Sequence, residues 1–170
     1  MAKFQDLLKK IRSVDETARQ IEKWQMAQEH VVFTNGCFDI LHKGHVTYLA
    51  KAADFGTKLV IGLNSDASVK RQGKGDERPV NPEDARALLL AALAFVDGVV
   101  VFAEDTPKHI IQQLQPDVLV KGADYDPDET DPTSKRYIVG REELLLHGGV
   151  VKTVDLVDGF STTSIIKKLK

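Results

Sequence analysis

Two histidines, His42 and His45, lie three residues apart in the segment 33–56, which begins like a buried strand and continues like a helix from about Gly44. They are therefore expected on the strand-to-helix connection and the first helical turn. That turn has unpaired N–H groups and partial positive charge, which disfavours nearby cations unless an anion is bound. Residues at this spacing face the same way, and Gly36 and Gly44 let the backbone come close. The pattern indicates a phosphate site.

Two other chemistries use the same residue types. A metal site built on His42 and His45 lacks a third ligand at suitable spacing, and proteins normally supply three or four. Cys37 paired with a histidine base would form a nucleophile. A cysteine at a strand-to-loop corner is more often a small buried residue, so the anion-binding interpretation is favoured over both.

The elements that position this segment follow from alternating apolar runs and amphipathic stretches. The apolar runs VVFT, KLVIGL, GVVVF, DVLV and VVKTV predict five strands. Helical patterns lie near residues 44–55, 82–95, 107–114, 141–146 and 164–169. Asn81 followed by Pro82 predicts an N-cap and a first helical position. Strands that are apolar throughout and separated by helices predict an α/β fold, a doubly wound parallel sheet of five strands, with ligands beyond the carboxyl ends of the strands.

The N-terminal segment predicts two short helices before the first strand. Helical spacing in the first of them connects Phe4, Leu7, Leu8 and Ile11. Ser13 and Glu16 form a candidate capping box at the start of the second. We therefore expect a single domain over 1–170, with residues 1–30 as a helical extension packed on it.

Composition limits the classes of partner. With 170 residues, 42% of them hydrophobic, the chain can build one core. A formal charge of −2 gives no global basic field, so small molecules are expected as partners rather than nucleic acid or a membrane. One cysteine cannot form an internal disulfide, and neither a signal peptide nor a bilayer-spanning stretch is visible. These features predict a reducing, cytoplasmic compartment.

Two motifs carry a family resemblance. HKGH at 42–45 resembles the HxGH signature of the nucleotidyltransferase superfamily, which includes cytidylyltransferases and pantetheine-phosphate adenylyltransferase. GFSTTSIIK at 159–167 is similar to the GxSTTxI segment of the same enzymes. The order of FTNGCFDILHKGH, GLNSDASVKR, ERPVNPEDAR, AEDTP, PDVLVKGADY and DGFSTTSIIKK most resembles the adenylyltransferases that act on D-glycero-β-D-manno-heptose 1-phosphate.

This resemblance implies an activity. AMP would pass from ATP to a sugar 1-phosphate by direct in-line attack, giving ADP-heptose for lipopolysaccharide and pyrophosphate, with Mg²⁺ held mainly by the ATP phosphates and no metal site in the protein. In many bacteria this domain is fused to a sugar kinase, and a chain of 170 residues leaves no room for one, so the stand-alone form is expected. Relatives often assemble, so a homo-oligomer, possibly a dimer, is also expected.

The resemblance also implies roles for particular residues. His42 and His45 would donate to the α- and β-phosphates, and Lys74 is the third predicted catalytic residue. Further candidates for binding substrate phosphates are Lys70, Arg71 and Arg78. Asp39 would either bind sugar hydroxyls or fix the phosphate loop. The predicted nucleotide-binding residues are Asn35, Gly36, Cys37, Phe38, Asp39, Gly44, Lys121, Gly122, Asp124, Ser161, Thr162 and Thr163.

Two departures from the family pattern bear on specificity. Cytidylyltransferases typically carry an arginine that helps read cytosine three residues before the motif glycine, Gly159, and Leu156 stands there instead, which favours adenine. Residues 126–136 lengthen a loop that is either a solvated surface segment or a flap over the site. The alternatives are a CTP-dependent enzyme acting on a polyol or amino-alcohol phosphate, a nucleotide-binding module without turnover, and a phosphohydrolase.

Overall fold

The protein contains one parallel sheet, described in a computed structural model that covers residues 3–73, 75 and 77–169. Its order is β1-β4-β3-β2-β5-β6, with every neighbouring pair parallel. The strands are β1 (Ile11–Arg12), β2 (Val31–Gly36), β3 (Lys58–Asn64), β4 (Gly98–Phe102), β5 (Val118–Gly122) and β6 (Val150–Val154). The predicted doubly wound parallel α/β fold is confirmed.

Helices cover both faces of this sheet. They are α1 (Lys3–Leu8), α2 (Val14–Met26), α3 (Lys43–Ala53), α4 (Asp66–Arg71), α5 (Glu83–Ala91), α6 (Lys108–Leu114), α7 (Arg141–Leu146) and α8 (Thr162–Leu169). The longest described, α2, has 13 residues. Within the described ranges, no helix is long and apolar enough to cross a membrane.

Two hydrophobic cores lie on opposite faces of the sheet. Val32 packs in the core that contains Leu49 of α3 and Leu90 of α5. Phe33, the next residue, packs in the core formed with α2, α6 and α7. Successive strand side chains point to opposite faces, so one short apolar strand contributes to both cores. This alternation explains why the predicted strands are apolar at nearly every position.

The sheet has six strands rather than the predicted five. Helix α1 ends at Leu8, and Ile11, which was expected to continue its apolar face, forms β1 with Arg12. Ile11 pairs with Val99 of β4, at the edge of the sheet. A strand of two residues is too short to show any periodicity, and only the free edge of β4 makes it a strand.

The structure confirms one predicted helix start and corrects two predictions about helices. Ser13 accepts from the backbone N–H of Glu16, whose carboxylate accepts from the backbone N–H of Ser13, so the capping box is confirmed. Helix α5 begins at Glu83 with Pro82 as N-cap, so Asn81 is not the cap. The Asn81 side chain instead donates to the backbone carbonyl of Asp39. The short helix α4 is absent from the sequence prediction.

Candidate active site

A cavity of about 880 Å³ opens at the carboxyl ends of the strands. After β2 the chain adds β3 and β4 on one side, then returns to add β5 and β6 on the other. Doubly wound sheets bind ligands where the strand order reverses in this way. The lining residues come from the ends of β2, β3 and β5, from α3 and the first turn of α8, and from the connections after β2, β3, β4, β5 and β6. This cavity is the candidate active site.

His42 and His45 form a stacked pair at the edge of the cavity, with ring centroids 3.8 Å apart and an interplanar angle of 17°. His42 is the N-cap of α3, and its Nδ1 accepts from the backbone N–H of His45 at 3.3 Å. Because Nδ1 accepts, a neutral His42 carries its proton on Nε2. His42 Nε2 and His45 Nδ1 are buried without a hydrogen-bond partner in the described structure. Two buried polar atoms of this kind are costly unless a ligand satisfies them.

The surroundings of both imidazoles favour their neutral forms. Burial lowers the pKa of His42. Burial also lowers the pKa of His45 to about 4, helped by the nearby charges of His42 and Arg78 and opposed by a backbone hydrogen bond with Ile40. A bound anion acts in the opposite direction, because negative charge stabilises the imidazolium. A bound phosphate would therefore stabilise the protonated form of the pair.

Gly44 lets the first turn of α3 lie close to the segment before α8. A Cβ atom at this position would lie 3.0 Å from His42 Nδ1 and 3.0 Å from the Cβ of Phe160. The ring of Phe160 has its centroid 6.4 Å from that of His42, and the Nζ of Lys43 lies 5.5 Å from the Phe160 centroid. Ser161 accepts from the backbone N–H of Ser164, so it caps α8. The two family motifs therefore form one wall of the cavity.

Asp39 is fully buried and lies behind the cavity wall. Its Oδ2 accepts from the Nε–H of Arg78 at 3.0 Å, and Arg78 lines the cavity. Its Oδ1 accepts from the backbone N–H groups of Val80 and Asn81. Of the two roles expected for Asp39, these contacts match the one that fixes the loop after β2.

Arg86 is a buried residue that the sequence reasoning missed. Its guanidinium donates to the carbonyls of Cys37 and Asn64, at 2.7 and 2.8 Å, which tie the ends of β2 and β3 together. It also donates to the carbonyl of Asn81 and the carboxylate of Asp66. The available signal was an arginine on the apolar face of α5, one helical turn before a buried leucine.

The predicted site residues divide into three groups. Those that line the cavity are Asn35, Gly36, Cys37, Phe38, His42, Gly44, His45, Arg78, Lys121, Gly122, Asp124, Ser161, Thr162 and Thr163. Asp39, Lys70 and Arg71 are not among the lining residues, and the exposed Arg71 pairs with Asp105 at 2.6 Å. Lys74 lies outside the described residues.

Comparison with protein families matches residues 33–168, which contain both motifs, to the model described as cytidylyltransferase-like. The chain belongs to the cytidylyltransferase-like family. A bifunctional protein HldE from Geotalea uraniireducens (strain Rf4) is 52% identical over 95% of this chain and 31% of its own length. Another from Campylobacter concisus (strain 13826) is 50% identical over 99% of this chain and 32% of its own length. The chain thus spans about a third of these relatives.

A solved structure has a similar fold. It is the lipopolysaccharide core biosynthesis protein from Thermoplasma volcanium GSS1, which is 26% identical to this chain. The match has a TM-score of 0.57 and covers 76% of this chain and 97% of that one. Together with the family match, this similarity shows a Rossmann-like nucleotidyltransferase fold.

Cytidylyltransferase-like proteins use a nucleotide substrate and typically a divalent metal. Among the described residues, no group of three or more His, Cys, Asp or Glu side chains is placed to hold a metal ion. The described side chains therefore do not fit a metal site held by the protein alone.

Proposed function

We propose that this chain transfers AMP from ATP to D-glycero-D-manno-heptose 1-phosphate, giving ADP-heptose and pyrophosphate. The observation that carries the proposal is the stacked pair of His42 and His45, whose unsatisfied ring nitrogens lie at the N-terminus of α3 beside the cavity. The heptose assignment is supported by the order of the sequence motifs. Similarity to bifunctional HldE proteins and to a lipopolysaccharide core biosynthesis protein supports it further.

The histidine pair would bind the nucleotide phosphates. The Nε2–H of His42 is a donor in the neutral tautomer, and the adjacent imidazole of His45 offers a second site one helical turn away. Each donor stabilises charge that increases on the phosphate oxygens during transfer. A preorganised donor of this kind contributes roughly 2.7–4 kcal/mol to catalysis.

The transfer itself requires positioning rather than a general base. The acceptor phosphate is already ionised, so its oxygen can form a bond to the α-phosphorus directly. The bond from that phosphorus to the bridging oxygen of pyrophosphate breaks, and pyrophosphate leaves with the electron pair. Arg78, held by Asp39, would offset charge on the leaving group. Mg²⁺ bound to the triphosphate would supply further charge neutralisation.

An apolar residue lies on the expected nucleobase side. Leu156 lines the cavity, and a Cβ atom at Gly122 would lie 3.1 Å from its Cδ2, so Leu156 packs over the end of β5. Leucine offers no hydrogen-bond donor to a cytosine carbonyl. This contact supports adenine as the base, together with the family resemblance.

The test is pyrophosphate release with heptose 1-phosphate and, in turn, ATP, CTP, GTP and UTP. We expect turnover with ATP to exceed turnover with each of the others. Preference for CTP with a polyol or amino-alcohol phosphate would establish the alternative transferase. Tight ATP binding without pyrophosphate formation, across a panel of sugar 1-phosphates, would establish a binding module. Release of phosphate from one substrate alone would establish a phosphohydrolase.

A further inference from the structure

The cavity has two halves that lie on opposite faces of the sheet. The histidine pair begins α3, which packs on the face that contains Val32 and Val120. Asn35 and Lys121 each lie two residues beyond a member of the other core, Phe33 and Leu119, and so share that opposite face. We name this second part the α6/α7 half. It comprises Asn35 and Lys121, Tyr125, which packs against the same core, and the lining residues Thr106 and Tyr137, which precede α6 and α7.

Lys121 brings positive charge to the α6/α7 half. Its Nζ donates to the Oδ1 of Asn35, joining β5 to β2 at the point where the strand order reverses. The same nitrogen lies 5.8 Å from the centroid of the Tyr125 ring. Among the described residues, no carboxylate lies within 4.0 Å of this ammonium. A partly buried cation without a paired carboxylate is suited to an anionic ligand.

Two tyrosines that flank the inserted loop 126–136 line the same half. Its ends are joined by a hydrogen bond from the Asp126 N–H to the Arg136 carbonyl and by an ion pair of 3.5 Å between their side chains. Tyr125 and Tyr137 flank this closure, and both line the cavity. A cation beside one aromatic ring, in a cavity lined by a second, suits a ligand with apolar faces and an anionic end, such as a sugar phosphate.

We infer that the α6/α7 half is the acceptor subsite, where Lys121 binds the phosphate of the sugar 1-phosphate and Tyr125 and Tyr137 flank the sugar. The inference rests on the proposed function. In-line transfer places the attacking and leaving oxygens on opposite sides of the α-phosphorus. With nucleotide phosphates at the histidine pair, the acceptor reaches that phosphorus from the other face. The family resemblance places Lys121 with the nucleotide, whereas its face of the sheet favours the acceptor.

The test compares Lys121→Met with Lys135→Met, which removes an exposed lysine of the inserted loop outside the cavity. Binding of heptose 1-phosphate and of ATP is measured separately by calorimetry. We expect Lys121→Met to weaken sugar phosphate binding roughly 10–100-fold, because it removes a charged hydrogen-bond donor. ATP affinity should stay within about twofold, and Lys135→Met should change neither.

Three results would overturn the subsite: weaker ATP binding with unchanged sugar phosphate binding, no effect on either ligand, or no sugar phosphate binding by the wild type. If the wild type binds sugar phosphate but does not turn it over, the proposed function is wrong. The subsite is then tested by whether Lys121→Met weakens sugar phosphate binding. If Lys121→Met does not fold, Tyr137→Ala gives the same test. It should weaken sugar phosphate binding alone.

Discussion

Arg78 donates from its Nε–H to the Oδ2 of Asp39 across 3.0 Å, and the two side chains are 9% and 0% exposed. This ion pair joins the loop after β2 to the segment that precedes α5. The same carboxylate accepts from two backbone N–H groups of that segment. One buried residue therefore fixes the position of a cation that lines the cavity.

Asp39→Ala should destabilise the fold strongly, because it leaves the Arg78 guanidinium buried without its counter-charge. We expect the free energy of unfolding, measured by urea denaturation, to fall by about 3–5 kcal/mol. Asp105→Ala breaks the exposed pair with Arg71 and is the matched control, with an expected loss of about 1 kcal/mol or less. If the free energy of unfolding falls equally in the two variants, the buried ion pair stabilises the fold no more than the exposed one.

His42→Ala and His45→Ala should each lower kcat by roughly 10²–10³, since each removes a donor preorganised for the phosphates. The measurement is steady-state pyrophosphate release with ATP and heptose 1-phosphate. His109→Ala, which changes an exposed histidine of α6, should keep the wild-type rate. Wild-type rates in both active-site variants would remove the histidines from the mechanism.

His45 should make the fold less stable as the pH falls. Its pKa is about 4 in the folded protein, below the ordinary 6.5, so the unfolded chain binds more protons between these values. The stabilisation is therefore present above pH 6.5 and is lost as the pH drops towards 4. The free energy of unfolding is measured with guanidinium at neutral and at acidic pH. Between these two conditions it should fall less for His45→Gln than for the wild type. His109→Gln is the control and should behave like the wild type. If the free energy of unfolding falls as much in His45→Gln as in the wild type and in His109→Gln, His45 is not the group responsible.

Sugar phosphate use should decline in alkaline solution. Burial lowers the pKa of Lys121 to about 8, with Asp124 acting in the opposite direction, so its charge is lost as the pH rises through that value. The pKa of Tyr125 is raised by burial and by Asp124, and that of Tyr48 is raised to about 12, so neither neighbour titrates near 8. We expect kcat/KM for heptose 1-phosphate to fall above about pH 8.

Lys121→Arg separates this effect from other alkaline changes. Arginine stays charged throughout the range, so the decline near pH 8 should disappear in the variant, even if its rate at neutral pH is lower. An identical decline in both proteins would show that another group is responsible.

Several expectations from the sequence stay predictions. They are the single domain over 1–170 with its extension 1–30, the homo-oligomer, the cytoplasmic location, the specific use of ATP and Mg²⁺, and the roles of the individual site residues.

The fold could be predicted from the sequence because its signals are local. All five predicted strands form, and in four of them, β2 to β5, a run of apolar residues marks a strand buried on both faces.

The sequence by itself determined the parallel α/β sheet, the placement of His42 and His45 at a helix start, and the two family motifs, because each depends on residues adjacent or nearly adjacent in the chain. The tertiary structure alone decided the pairs that build the cavity. Asp39 and Arg78 are 39 positions apart, and Asn35 and Lys121 are 86 apart. Contacts at such separations depend on strand order and register, which no local periodicity encodes. Arg86 became a buried anchor for the same reason, because its acceptors converge only when β2 and β3 lie side by side.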